Sequence, residues 1–230
     1  MKYHTRSEAI RLRGLIKNLD SWYTHHGREF PWRTPEASVF ELVVTEILVQ
    51  RTRAETVAKL YQQFFNRYRS WTDLQESSLC ELEEMLKPIG LWKRRAKAMK
   101  DLAQALKKTG YFFPSSRSEI ERLPAVGQYV ANAIELFLHG RSRPLLDTNM
   151  SRVLERYFRK RDLADIRHDP WLQSIARALI EKAPNPSILN WAVLDLGAMI
   201  CKPSNPSCNS CPLWKGCNYR KSNPLPENFT

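Results

Sequence analysis

The sequence predicts an all-α protein. Apolar residues recur at three- and four-residue spacing, as at Phe40, Val43, Val44, Ile47 and Leu48 and again at Leu102 and Leu106, the interval that lines one face of a helix. No strand pattern longer than a few residues competes with them. Breaks fall at Pro88 to Gly90, Tyr111 to Ser116, Pro124 to Gly127, Gly140 to Pro144, Asp169 to Pro170 and Pro184 to Pro186. At 230 residues the chain has room for one large domain or two small ones, and it carries no repeat or low-complexity tract.

The chain opens with the polar, basic stretch MKYHTRSEAIRLRG, which lacks the apolar core of a secretion signal, and nowhere do 18 apolar residues run without a charge. A soluble, non-secreted protein is expected. Thr34, Pro35 and Glu36 supply an N-cap, a proline for the first helical position and an early acid, which predicts a helix from about Pro35 to Arg51. Inside it, Glu46 follows Leu42 and Val43 by one turn and precedes Val49 and Gln50. A carboxylate held against such a surface is desolvated, its pKa rises, and it becomes a proton donor near neutral pH; the competing reading is a solvated Glu on the outer stripe. Cys80, amid Leu79, Leu82 and Met85, reads as a small core residue.

The formal charge is +12, from 36 Lys and Arg against 24 Asp and Glu, with bunching at Lys93, Arg94, Arg95, Lys97 and Lys100. A polyanion is the natural partner, because displacing counterions from phosphates needs such a surface, although basic helix faces are often merely solvated.

Farther along, Leu123-Pro124-Ala125-Val126-Gly127-Gln128-Tyr129-Val130-Ala131 joins a helix ending near Arg122 to one beginning around Gly127. Proline stops the first helix, Gly127 permits close backbone approach, and the amides opening the next helix suit a phosphate; a purely structural turn has the same composition. Asp147 then precedes a helix carrying Val153, Leu154 and Tyr157. It is an N-cap candidate, and a carboxylate stabilised by a helix start is expected to keep a low pKa, as an anion opposing a developing carbocation needs.

Cys201, Cys208, Cys211 and Cys217 follow the pattern C-x6-C-x2-C-x5-C, four of the five cysteines within 17 residues. Four soft thiolates in one short segment bind metal, and the wide flanking gaps point to a 4Fe-4S cluster, with zinc as the alternative. Such thiols and one leftover cysteine fit a reducing compartment, the cytoplasm or nucleoid.

Taken together, FPWR at Phe30 to Arg33, the hairpin LPAVGQYVA, the downstream LLDTNMSRVLERYF and the cysteine loop make the chain resemble, over roughly residues 28 to 220, the helix-hairpin-helix DNA glycosylases of the endonuclease III superfamily. The resemblance implies a six-helix domain over residues 36–141, inserted in a second helical domain made of 1–35 and 142–230 with the iron-sulfur loop at 201–217, the two flanking a DNA-binding cleft that receives a flipped nucleotide. It implies catalytic roles for Asp147, Glu46 and Tyr129. Gln50, Arg51 and Leu91 would meet the opened duplex, and Val126, Gly127, Gln128 and Tyr129 lie where backbone amides meet phosphate.

Position 129 separates the chemistries. Members that also cut the backbone carry a Lys there as the Schiff-base amine, the adenine-specific branch usually carries Ser, and Tyr129 resembles the mismatch glycosylases acting on T or U opposite G. TEILVQRT (Thr45 to Thr52) and IGLWKRRA (Ile89 to Ala96) look closer to that branch. The chain ends 13 residues after Cys217, without the large C-terminal domain usual in adenine enzymes, although short adenine-type relatives exist and Glu46 stands at their catalytic acid. A monomeric, monofunctional glycosylase for mismatched double-stranded DNA is expected; an adenine glycosylase and a non-catalytic DNA-binding or redox-sensing relative are the alternatives. Ala125 stands where the family usually has Gly, which is tolerable if φ remains negative. The cluster is expected mainly to brace a basic loop with Lys202, Lys215 and Arg220.

Overall fold

Every regular element of the computed structural model, which describes residues 4–223, is a helix. Besides three single-turn 3-10 helices, these are in chain order α1 (Arg6–His26), α2 (Val39–Leu48), α3 (Ala54–Arg67), α4 (Trp71–Glu76), α5 (Leu79–Leu86), α6 (Trp92–Lys107), α7 (Arg117–Glu121), α8 (Gln128–Phe137), α9 (Thr148–Tyr157), α10 (Pro170–Glu181), α11 (Pro186–Met199) and α12 (Asn218–Ser222). Most start on a side-chain cap. Thr5 and Glu8 cap α1 reciprocally, and Ser70, Ser78, Ser116, Asp169 and Asn185 each accept a first-turn amide. Each such cap stabilises its helix by about 0.5–2 kcal/mol.

The helix expected from Pro35 to Arg51 is shorter. Ser38 and Glu41 form a full capping box, with Ser38 N–H donating to Glu41 Oε2 at 2.8 Å, so α2 starts at Val39 and Thr34 only closes a turn onto Ala37. At the other end Arg51 takes φ +57, and a left-handed residue cannot continue a right-handed helix.

The chain divides into two compact units, Glu29–Arg141 and Met1–Arg28 with Ser142–Thr230. The first begins upstream of the expected residue 36, because Phe30 and Trp32 stack 4.6 Å apart and are buried in its core. α2 runs through this unit with Phe40, Val43, Val44, Ile47 and Leu48 all buried, and packs on α3, α6 and α8. A helix with so wide an apolar surface belongs in a core, and truncating one of these large side chains to Ala costs about 2–5 kcal/mol. On α8, the fully buried Glu135 is held by Arg117 Nη1 at 2.6 Å and Arg141 Nη1 at 2.9 Å.

Cys80 is exposed, contrary to expectation. The inward stripe of α5 is Leu82 and Leu86, one turn apart, and Cys80 lies two residues before that stripe on the opposite side. The basic run is also less uniform than its sequence suggests: Arg95 is buried, and Lys100 bonds the carbonyls of Gln75 and Ser77.

In the second unit α11 packs on α1, α9 and α10 around Trp171, Leu172, Leu189, Val193 and Leu196. Two polar residues of α11 are buried for a reason. Asp195 accepts from Arg28 Nε and Arg28 N, both at 2.8 Å, and Asn190 takes the Leu145 amide at 2.6 Å while donating to the Arg143 carbonyl at 3.0 Å. The Asn190 bonds fix the extended segment that delivers Asp147 to the start of α9.

Candidate active site

Asp147 is the N-cap of α9. Its Oδ1 accepts the Asn149 and Met150 amides, each at 2.8 Å, and its Oδ2 accepts Asn149 Nδ2 at 2.9 Å. Asn149 is itself held, its Oδ1 taking Arg152 Nη2 at 2.7 Å. Arg152 continues to the Gly197 carbonyl at 2.8 Å and, through Nε, to the Cys201 carbonyl at 2.7 Å. The carboxylate thus points where fixed backbone and side-chain donors aim it.

The expected low pKa does not hold. Burial raises the Asp147 carboxyl above its ordinary value, outweighing the Met150 and Asn149 donors and the Arg152 charge, which pull it down. The helix start lowers the pKa as the sequence implies, but desolvation is the larger effect.

Glu46 lies on α2 at 5% exposure, so it is not a solvated Glu on the outer stripe. Tyr129, in the first turn of α8, donates its hydroxyl to Glu46 Oε2 at 2.7 Å. Packing of α2 on α8 brings together two residues 83 positions apart. A buried carboxylate fixed by a phenol can address a ligand atom in one orientation and exchange a proton with it.

The hairpin lies between α7 and α8, with Gly127 as the N-cap of α8 in extended conformation. Ala125 has φ +62, not the negative value under which a Cβ is comfortable, so this turn is strained. Val126 is buried and its amide donates to the Leu123 carbonyl at 3.2 Å, which removes it from the set of amides open to a phosphate. Gly127 is exposed, and Gln128 and Tyr129 are partly so, in the first turn, where helix amides lack intrahelical acceptors and favour anions.

Gln50, Arg51 and Leu91 project from two turns of the same unit. Gln50 and Arg51 are exposed after α2, and Leu91, at 50% exposure and φ +49, opens α6. Apolar side chains held out in this way suit insertion between bases.

The four loop cysteines are partly buried, with Cys201, Cys211 and Cys217 against the core of their unit. Burial pushes the Cys211 thiol up to about 12, to which the other three thiols add, and it raises Cys208 and Cys217. Arg156 Nη1 donates to Cys201 Sγ at 3.4 Å. Thiolates are soft metal ligands, and a metal binding to such thiols would displace their protons. Among the described residues no three His, Cys, Asp or Glu side chains converge as a single-ion shell. A 4Fe-4S cluster makes no such demand, since its four thiolates take separate irons, so the donor set fits that group.

Sequence reasoning missed Asn149 and Arg152, which hold Asp147, and took Arg95 for surface charge. Among the described residues no helix is long and apolar enough to cross a membrane.

Comparison with known proteins shows the family. Residues 44–167 match the HhH-GPD superfamily base excision DNA repair protein family. A thymine-DNA glycosylase of Aeropyrum pernix is 33% identical over 91% of this chain and 95% of its own length. The rat adenine DNA glycosylase is 28% identical over 94% of this chain but only 43% of its own length. The solved structure of a thermostable thymine-DNA glycosylase superposes with a TM-score of 0.84 at 30% identity, over 93% of this chain and 98% of that one. By sequence and by fold, the chain belongs to the HhH-GPD superfamily of base excision DNA repair proteins.

Proposed function

We propose that this protein is a monofunctional DNA glycosylase that hydrolyses the N-glycosidic bond of thymine or uracil mispaired with guanine in double-stranded DNA. It works as a monomer on the DNA of the nucleoid, with a 4Fe-4S cluster held by Cys201, Cys208, Cys211 and Cys217. The observation that carries the reading is Tyr129, whose hydroxyl is bonded to Glu46: a phenol at the position where the resemblance expects a Schiff-base lysine in backbone-cutting members supports attack on the sugar by water rather than by an enzyme amine. The names of the most similar relatives support the pyrimidine substrate.

The target nucleotide leaves the base stack, at a few kcal/mol, less for a mismatch. As the C1'-N bond breaks, its electron pair departs with the base and positive charge develops on the sugar. Asp147, aimed by Asn149 and Met150, opposes that charge and directs the water whose oxygen forms the new C1'-O bond, the proton lost by that water ending on the departed base. Glu46 contacts the leaving base, and Tyr129 both fixes Glu46 and packs against base or sugar. Gln50 and Leu91 fill the opened duplex, with Arg51 beside them on the DNA, while Gly127 and Gln128 lie at the start of the helix that meets phosphate. When bound, the cluster supplies a rigid cross-link to the C-terminal loop, in keeping with its place beside Lys202, Lys215 and Arg220.

Duplexes containing T:G, U:G, A:G or A:8-oxoguanine, treated with protein and then with alkali, test this reading by strand scoring. Cleavage of T:G and U:G is expected. Processing of A:8-oxoguanine alone would establish the adenine reading that the rat relative and Glu46 favour, and no cleavage at all would favour the binding-module reading. Without alkali no nicking is expected. Tyr129→Lys is expected to gain a borohydride-trapped adduct, and absence of any adduct counts against placing residue 129 at C1'.

A further inference from the structure

Arg95 is the least expected residue of the basic run. It sits on α6 at 5% exposure, and its guanidinium bonds two separate turns. Nη1 donates to the carbonyls of Ile89 at 2.7 Å and Gly90 at 2.6 Å, and Nη2 to Thr52 Oγ1 at 2.6 Å and to the Gln50 carbonyl. Thr52 Oγ1 in turn donates to the Ile89 carbonyl at 3.0 Å. All four acceptors of Arg95 are uncharged. Burying a cation without a carboxylate is a poor way to stabilise a core, since desolvation works against the charge with no ion pair to offset it.

The arrangement makes sense as a clamp. The two turns are those that project Gln50 and Leu91, and both depend on left-handed residues, Arg51 at φ +57 and Leu91 at φ +49, which an L-residue adopts at a cost. Left to themselves such turns relax. The planar fork of an arginine, with five fixed donors, spans two acceptors on each side, whereas an ammonium is a point charge that cannot. We propose that Arg95 is a positioning residue that locks the Gln50–Thr52 turn to the Ile89–Leu91 turn, so that Gln50 and Leu91 enter the duplex as one preformed wedge. It touches no substrate. The inference rests on the reading of Gln50 and Leu91 as the residues that fill the opened duplex.

The test uses the full chain and a T:G duplex with 2-aminopurine beside the thymine, whose fluorescence reports unstacking before excision. Arg95→Lys is expected to melt cooperatively, to lower the amplitude of the fluorescence rise, and to slow single-turnover excision by about 10–100-fold, the scale of a small misplacement of a working group. Because Arg95 acts through the wedge, adding Arg95→Lys to the Gln50→Ala, Leu91→Ala double variant should slow it by no more than about twofold further. Thr52→Val, which removes one acceptor, should move fluorescence and rate in the same direction by less. Unchanged fluorescence in Arg95→Lys, or effects that multiply with those of the double variant, would overturn the clamp. If the wild-type protein opens the duplex but excises no thymine, the substrate reading fails while the fluorescence comparison still decides on Arg95.

Discussion

Gly197 on α11 is the position where one methyl group should separate stability from catalysis. A Cβ there would lie 2.7 Å from Asn149 Cβ and 3.2 Å from Asn149 Cα and O. Carbon pairs rest at about 3.5–4.0 Å, so α9 and α11 must part by about 1 Å in Gly197→Ala. No rotamer change relieves the clash, because the atoms struck are backbone and Cβ. Overpacking of this kind costs about 1–3 kcal/mol, and each kcal/mol lowers Tm by about 2–4 °C in a chain of this size.

Asn149 is also the residue whose amide and side chain hold Asp147. A shift of about 1 Å in a reacting group costs on the order of 100-fold in rate. Single-turnover excision of T:G, measured well below the melting midpoint, should therefore fall by about that factor while duplex affinity changes by less than about threefold, since rate depends on placement more steeply than binding does. The control is Gly14→Ala in α1, where an added Cβ meets nothing within 4 Å. It should raise stability by about 0.5–1 kcal/mol and leave excision unchanged. Full excision by folded Gly197→Ala, or a loss that merely tracks the unfolded fraction, would refute the argument.

Ala125→Gly removes a left-handed alanine worth about 1–2 kcal/mol of strain but adds about 0.4–1 kcal/mol of unfolded-state entropy, so a thermal melt should show a net gain near 0.5–1 kcal/mol; a lowered Tm would sink it. Asp147→Asn should bind T:G duplex yet lose at least about 100-fold in excision. The same variant reports the sign of the Asp147 shift. The folded carboxyl titrates above its unfolded value, so its contribution to stability is present below about pH 4 and is lost as pH rises through the raised pKa. The Asn variant should thus gain on wild type in Tm as pH rises, and a pH-independent difference would contradict the desolvated carboxylate. Wild-type excision should fall on acidification while pH is still above the ordinary carboxylate range. Cys208→Ser should purify with sub-stoichiometric iron and a lower Tm, read by metal analysis and melting; full iron content would remove Cys208 from the ligand set.

What the sequence made legible was whatever is decided within a turn or two of chain. The three- and four-residue spacing of Phe40, Val43, Val44 and Ile47 marked a core helix, and the apolar neighbours of Glu46 marked a buried acid. A local signal also misled: Thr34-Pro35-Glu36 reads as a helix start, but the helix opens at Ser38, whose reciprocal box with Glu41 satisfies two amides at once. The rest was out of reach because it depends on distant partners. Arg95 looks like its neighbours Lys93 and Arg94 until Gln50, 45 residues away, supplies an acceptor. The Asp147 shift is hidden for the same reason. A cap can be read from Asp-Thr-Asn-Met, but the surroundings of the carboxyl depend on tertiary packing, and the segment before the cap is pinned by Asn190 of α11, 45 residues beyond Leu145.

The raised pKa of Asp147 strengthens its proposed role. An anion opposing a sugar cation is worth more as local dielectric falls, so the desolvation that makes ionisation harder also makes the ionised group more effective. The two demands are reconciled by donors that need not reorganise: the Asn149 and Met150 amides belong to the helix, and Asn149 Nδ2 is held from behind by Arg152. Arg152 in turn is fixed by the carbonyls of Gly197 and Cys201, so the first cysteine of the loop anchors the far end of the bracket. The order of the cysteine loop should therefore have a kinetic consequence. Loosening the loop should lower the excision rate before it lowers affinity, because what moves is the direction of a carboxylate.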